Sequence, residues 1–105
     1  MAAARIDKNL RRIVDEYVQK INAHYPVDAV YLFGSHAHGT QHKDSDIDLA
    51  IFSKKINNRI LDRGKIFALT YEIDANIEPH PFNTKECKMN ERPIIDEILR
   101  YGILL

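Results

Sequence analysis

Residues 32–52 read LFGSHAHGTQHKDSDIDLAIF, and the way this stretch divides decides the fold. The run from Asp28 to Phe33 is β-branched and aromatic and stops at Gly34, which predicts a short strand ended by a turn. From Asp46 the residues alternate, with Ile47, Leu49 and Ile51 on one side and Asp46, Asp48 and Ala50 on the other. That alternation predicts a second, half-buried strand carrying both acids on one face. Residues two apart on a strand point the same way, with α-carbons about 6.5–7 Å apart. Unpaired carboxylates so placed repel at neutral pH, and burial makes the repulsion worse. A cation removes the conflict, and hard oxygen ligands at this spacing suit Mg2+ or Mn2+. A bare Asp-x-Asp is also what an ordinary solvent-facing strand presents, so the pair does not settle its own role.

The residues before the pair bear on that choice. Gly34 and Ser35 follow the first strand directly. Without a Cβ, Gly34 lets a phosphate approach the backbone, and Ser35 offers a hydroxyl. The N–H groups of a turn opening there point at an anion. Ser35 is also expected to cap a brief helical turn running to about Gly39. Ten residues, His36 to Ser45, then separate Gly-Ser from Asp-x-Asp. The histidines at 36, 38 and 42 suggest zinc, but no cysteine is near, and Gly39 and Thr40 interrupt a helix that would align His38 with His42. A polar loop is the preferred reading.

Outward from this stretch, apolar residues from Ile6 to Ile21 recur in steps of three and four, which predicts an amphipathic helix stopped by Pro26. INNRILDRGKIFALTYEID predicts a helix with Ile60, Leu61, Ile66, Phe67 and Leu69 as its apolar positions. ANIEPHPF predicts a strand whose Pro79 and Pro81 require a sheet edge or a position where the missing N–H is tolerated. ERPIIDEILRYG predicts a last helix between Pro93 and Gly102, and ILL a final short strand. The order is that of a small α/β (α+β) fold.

Composition narrows the function classes. A chain of 105 residues suits one compact domain over 1–105, with any partner domain coming from another chain. Fifteen basic and fifteen acidic residues cancel, so a broad nucleic-acid footprint is not expected. The single Cys87 makes no internal disulfide, which fits a reducing cytoplasm. No apolar run approaches the ~18 residues of a membrane span, and the N-terminus has no signal-peptide core.

The segment GSHAHGTQHKDSDIDLAI resembles the signature of the minimal nucleotidyltransferases of the polymerase-beta-like superfamily: Gly-Ser, a spacer of ten residues, then Asp-x-Asp. The agreement is most specific from about Val30 to Ile51, and the tail IEPHPF…EILRYGILL is similar to single-domain members. The resemblance implies a small mixed β-sheet flanked by helices, the nucleotidyltransferase fold. It implies that Gly34 and Ser35, with Ser45, hold ATP, and that Asp46 and Asp48 ligate Mg2+, with two ions expected. A third carboxylate from a later strand completes the set, with Glu78 favoured over Asp74. The position where the family often carries arginine holds His38, which pairs with phosphate only when protonated.

The resemblance further implies an antitoxin that moves AMP from ATP to a tyrosine of a HEPN-type helical toxin. A catalytically weak module that neutralises a partner by contact, and a small-molecule nucleotidyltransferase, are the alternatives. The apolar end YGILL fits either a subunit interface, including a homo-oligomer, or a packed last strand.

Overall fold

The computed structural model describes residues 6–39, 45–57, 59–85 and 93–105. The elements run α1 (Lys8–Asn22), β1 (Ala29–Phe33), α2 (Ser35–His38), β2 (Ile47–Phe52), α3 (Arg59–Ala68), β3 (Ile77–Phe82), α4 (Pro93–Tyr101) and β4 (Ile103–Leu104). The expected order of elements is the observed one. The strands form one mixed sheet in the order β3-β2-β1-β4. β1 is antiparallel to β2 and β4, and β2 is parallel to β3 through the crossover helix α3.

Both faces of the sheet are covered. On one, Leu10, Val14, Tyr17 and Ile21 of α1 and Ile66 of α3 meet Val30, Leu32, Ile47, Leu49, Ile51 and Ile77. On the other, Ile95 and Ile98 of α4 meet Phe33, Ala50, Phe52 and Phe82. The expectation of a half-buried β2 is therefore corrected: from Leu49 to Phe52 every residue is buried. Alternation alone could not reveal this, because Ala50 and Phe52 continue the acidic face of the strand into a second core. The expected strand also loses its first acid, since β2 begins at Ile47 and Asp46 lies just outside it.

Two tyrosines fasten the crossover helix. The buried Tyr17 hydroxyl donates to the Ile66 carbonyl at 2.6 Å, near the C-terminal end of α3 where helix carbonyls lack intrahelical donors. Burial raises the Tyr17 pKa well above its ordinary value. At the first turn of α3, Tyr25 donates to Asp62 at 2.6 Å. Burial, then the hydrogen bond to Asp62 and its charge, push the Tyr25 pKa up to about 12. Only part of the apolar stripe expected on α3 is buried: Ile66 is, whereas Ile60, Leu61 and Phe67 are exposed.

The prolines of β3 sit where the ladder tolerates them. The Ile47 N–H donates to Asn76 and the Ser53 N–H to Phe82, so even-numbered residues of β3 bond toward β2. By the period of two, Pro79 and Pro81 turn their missing N–H to the open edge, as expected. Pro93 opens α4, and the Gly102 N–H closes it on the Ile98 carbonyl at 2.8 Å. A Cβ on Gly102 would lie 2.4 Å from that carbonyl oxygen, so the chain can turn from α4 into β4 there only without a side chain. The expected cap at Ser35 is displaced by one residue, since Gly34 is the N-cap and Ser35 begins α2. Cys87 lies outside the described residues.

The Tyr17 contact gives a stability prediction. Tyr17→Phe removes a buried donor and leaves the Ile66 carbonyl unsatisfied, which costs about 1–3 kcal/mol. Denaturant unfolding should show a lower midpoint with an unchanged slope. An unchanged midpoint would mean that water replaces the hydroxyl.

Candidate functional site

Strand register assembles the site. Phe33 of β1 pairs with Asp48 of β2, and Asp48 pairs with Glu78 of β3. On the face covered by α4, the next row holds Tyr31, Ala50 and His80, and the last holds Ala29, Phe52 and Phe82. α4 packs over the apolar part of this face. The acidic row lies at the end where β1 leaves the sheet and β2 and β3 enter it.

Asp48 and His80 are part-buried, with side-chain exposures of 22% and 29%, and Glu78 is half exposed at 50%. The His80 Nε2 lies 3.3 Å from Asp48 Oδ1 and 3.8 Å from Glu78 Oε1. The edge of its ring meets Phe33 with centroids 4.9 Å apart. Among the described residues, Asp48, Glu78 and His80 form a group whose ligand atoms all lie within 4.8 Å of one another, close enough for a single ion. The oxygen donors fit a hard divalent cation, and the imidazole adds a nitrogen.

Gly34 closes the site from the side of α2. Its φ is +75° and its ψ −150°, a backbone conformation that side-chain-bearing residues rarely adopt. A Cβ there would stand 2.3 Å from Asp48 Oδ2. Glycine is thus required twice, for the turn and for the space the carboxylate occupies. The sequence pointed to phosphate approach as its reason, and the structure adds this nearer one. The turn also brings the start of α2 beside Asp48.

Burial, first, raises the Glu78 pKa, and a hydrogen bond with the Asp46 carboxyl and the charge of Asp48 push the same way, against the opposing influence of His80. Asp46 thus reaches the cluster through Glu78. Asp74 does not join it: its carboxylate accepts the Asn76 N–H at 2.8 Å in the turn before β3. Of the two candidates for the third acid, Glu78 is the one placed beside Asp48. Ser35 opens α2 and Ser45 leads into β2 next to Asp46, so Gly34, Ser35, Ser45, Asp46, Asp48 and Glu78 lie on the segments around this end of the sheet.

His80 is an addition to the expected site residues. The period of two along IEPHPF was the available signal. For the zinc reading, His36 stands outside the metal-capable group, and its Nε2 is buried with no hydrogen-bond partner among the described residues. The His38 side chain and His42 lie outside the described residues. No described helix is long and apolar enough to cross a membrane.

Comparison with known proteins bears on the family and the fold. The family profile described as "Polymerase beta, Nucleotidyltransferase" matches residues 16–105. The chain is 32% identical over 101 residues to a proposed protein adenylyltransferase of Methanocaldococcus jannaschii, covering 89% of this chain and 69% of that protein. In fold it is similar to a proposed nucleotidyltransferase of Sulfolobus solfataricus, with a TM-score of 0.63, 23% identity, and coverage of 89% of this chain and 76% of that one. It is also similar to a chain of a toxin–antitoxin structure with AMP-PNP, at TM-score 0.61 and 21% identity, covering 86% of this chain and 70% of that one. A mutant of the MntA–HpeT toxin–antitoxin gives TM-score 0.55 and 18% identity, with 94% and 72% covered.

Two outcomes follow from the geometry. Gly34→Ala must distort the turn or displace the Asp48 carboxylate. A strained backbone of this kind costs about 1–3 kcal/mol, and the loss should appear in denaturant unfolding together with weaker divalent-cation binding by calorimetry. The second concerns pH. The folded chain raises the Glu78 pKa above the unfolded value of 4.5, so the ionised carboxylate detracts from stability above the raised value. That cost is relieved as the pH falls through the raised value and is gone below 4.5. In chelator, Glu78→Gln should melt higher than the wild type at neutral pH and equal to it in acid. A lower melting temperature at neutral pH would show that the carboxylate is a net stabiliser.

Proposed function

The chain belongs to the polymerase beta nucleotidyltransferase family, and from that premise we propose that it transfers AMP from ATP to a hydroxyl of a protein acceptor. We further propose that the acceptor is a tyrosine of a HEPN-type helical toxin, so that the protein acts as an antitoxin. The observation that carries the reading is the Asp48–Glu78 row with the Gly34 turn set against it. The name of the Methanocaldococcus relative, a protein adenylyltransferase, supports a protein acceptor. The toxin–antitoxin structures that share the fold support the role, and AMP-PNP in one of them supports an adenine nucleotide.

In the proposed reaction the acceptor oxygen attacks the α-phosphorus of ATP. The bond from that phosphorus to the bridging oxygen breaks, and pyrophosphate leaves with the electron pair. Asp46, Asp48 and Glu78 would hold Mg2+, with two ions expected. The ions, when bound, neutralise charge developing on the phosphoryl oxygens. The turn at Gly34 and Ser35 receives the triphosphate through backbone N–H groups and the hydroxyl, with Ser45 at the mouth of β2. Glu78 would help to hold the second ion or accept the acceptor's proton. Its half-exposed position leaves it open to an incoming substrate.

An exposed apolar stripe supports a protein partner. Ile60 is 85% and Tyr71 75% exposed on and just beyond α3, where with Arg63, Gly64 and Phe67 they line a groove of about 590 Å³. Tyr101 and Leu104 form a second exposed pair at the β4 end, where a homo-oligomer contact is the alternative.

Incubation with Mg2+, α-labelled ATP and the product of the neighbouring gene tests the proposal. Label should move to the partner and not appear when the γ-phosphate carries it. Intact partner binding without transfer by the wild type would instead indicate neutralisation by contact alone. Asp48→Asn should reduce transfer by more than about a hundredfold, since even the outer partners of metal ligands cost 10–100-fold when removed. Its stability in chelator should be equal or slightly higher, because like-charge repulsion is relieved. Clear unfolding of this variant would assign the acid a structural role.

A further inference from the structure

We propose that His80 is a nitrogen ligand of the ion held by Asp48 and Glu78, and that it makes this position prefer Mn2+ over Mg2+. The inference rests on the reading of these carboxylates as metal ligands and concerns which ion they hold.

Distances come first. A cation with ligand bonds of about 2.1–2.2 Å separates neighbouring donor atoms by about 3.0–3.5 Å, depending on coordination number. The His80 Nε2 stands 3.3 Å from one carboxylate oxygen and 3.8 Å from another, and no pair in the group exceeds 4.8 Å. Small side-chain rotations close such a set around one ion. No strand has to move.

The fold also aims the imidazole. His80 sits on the edge strand between Pro79 and Pro81, whose rings fix φ at both neighbours. Its partner across the ladder is Ala50, a small side chain, and its Nε2 reaches Asp48 Oδ1 in the adjoining row at 3.3 Å. Phe33 closes against the ring edge. The ring therefore leans one register step along the sheet, from its own row toward Asp48 and Glu78. A histidine serving only to fill the core would have no need of Ala50 opposite it or of two carboxylates at its Nε2.

Donor chemistry then selects the ion. Mg2+ takes oxygen ligands and keeps much of its water, and an imidazole adds little for it. First-row transition ions accept imidazole readily, and Mn2+ combines this with a preference for carboxylate. Two carboxylates with one imidazole therefore favour Mn2+, whereas carboxylates alone leave the two ions close together. A hydrogen bond from His80 to Asp48 with no metal bond is the competing account, and it predicts no nitrogen on the ion.

The full chain, stripped of metal with chelator, is titrated separately with Mn2+ and Mg2+ without nucleotide. Mn2+ binding is followed by loss of the free-ion paramagnetic signal, and the bound ion by electron spin-echo modulation, which detects directly coordinated ¹⁴N. Mn2+ should bind at least about tenfold more tightly than Mg2+, with a ¹⁴N coupling in the wild type. His80→Phe keeps a ring against Phe33 and removes the donor. It should abolish the coupling and weaken Mn2+ by about tenfold or more, with Mg2+ little changed. Bound Mn2+ without ¹⁴N coupling in the wild type would overturn the assignment while leaving the carboxylate site in place. No binding of either ion would overturn both the assignment and the metal reading beneath it. The wild-type spectrum decides the matter even if the variant fails to fold.

Discussion

The Gly34 backbone lies against the Asp48 carboxylate more closely than any side chain would allow, and the rest of the site depends on that contact. A Cβ at 2.3 Å from Oδ2 cannot be accommodated, and φ of +75° asks for glycine independently. The contact fixes where β1 ends, where α2 begins and how near its first N–H groups come to an acid. A negative charge beside a helix start is favourable in itself. Under the proposed function, the same geometry would set the turn that receives a triphosphate next to the acids that would hold its counter-ions.

The sheet divides its labour along one face. Toward the α4 end, Phe52, Phe82 and Ala50 are buried and apolar, and Phe52 and Phe82 stack with centroids 5.3 Å apart. Toward the other end the same face carries Asp48, Glu78 and His80. The apolar half holds the strands in register, and the register places the acids side by side. Burial first, and then the neighbouring acids, push the Glu78 pKa up, so the ionised row is unfavourable without a cation. Proteins commonly concentrate such local conflicts where they do chemistry.

Much of this was legible in the sequence. The period of two over Ile47–Ile51 gave the acids a common face, and two prolines assigned IEPHPF to an edge. The spacing from Gly34 to Asp48 carried the family signature, which the profile match bears out. What was not legible depends on tertiary placement. The burial of Ala50 requires α4 to fold back over the sheet, and alternation within one strand cannot report a second covering layer. The exposure of Ile60, Leu61 and Phe67 follows from Ile66 and Tyr17 choosing which side of α3 faces inward. The approach of His80 to Asp48 needs the parallel register of β2 and β3, which no local pattern specifies. Glu78 was already favoured over Asp74 from the sequence, and the turn before β3, which engages the Asp74 carboxylate, adds a reason that no local pattern offered.

On the proposed function, one end of this sheet holds both a divalent ion and a nucleoside triphosphate. A crystal structure of the full chain with a divalent cation and a non-hydrolysable ATP analogue is the direct test. An ion should lie within about 2.0–2.3 Å of oxygens from Asp48 and Glu78, with phosphates seated on the turn at Gly34 and Ser35. Nucleotide bound elsewhere, or an ion that bypasses both carboxylates, would contradict that function.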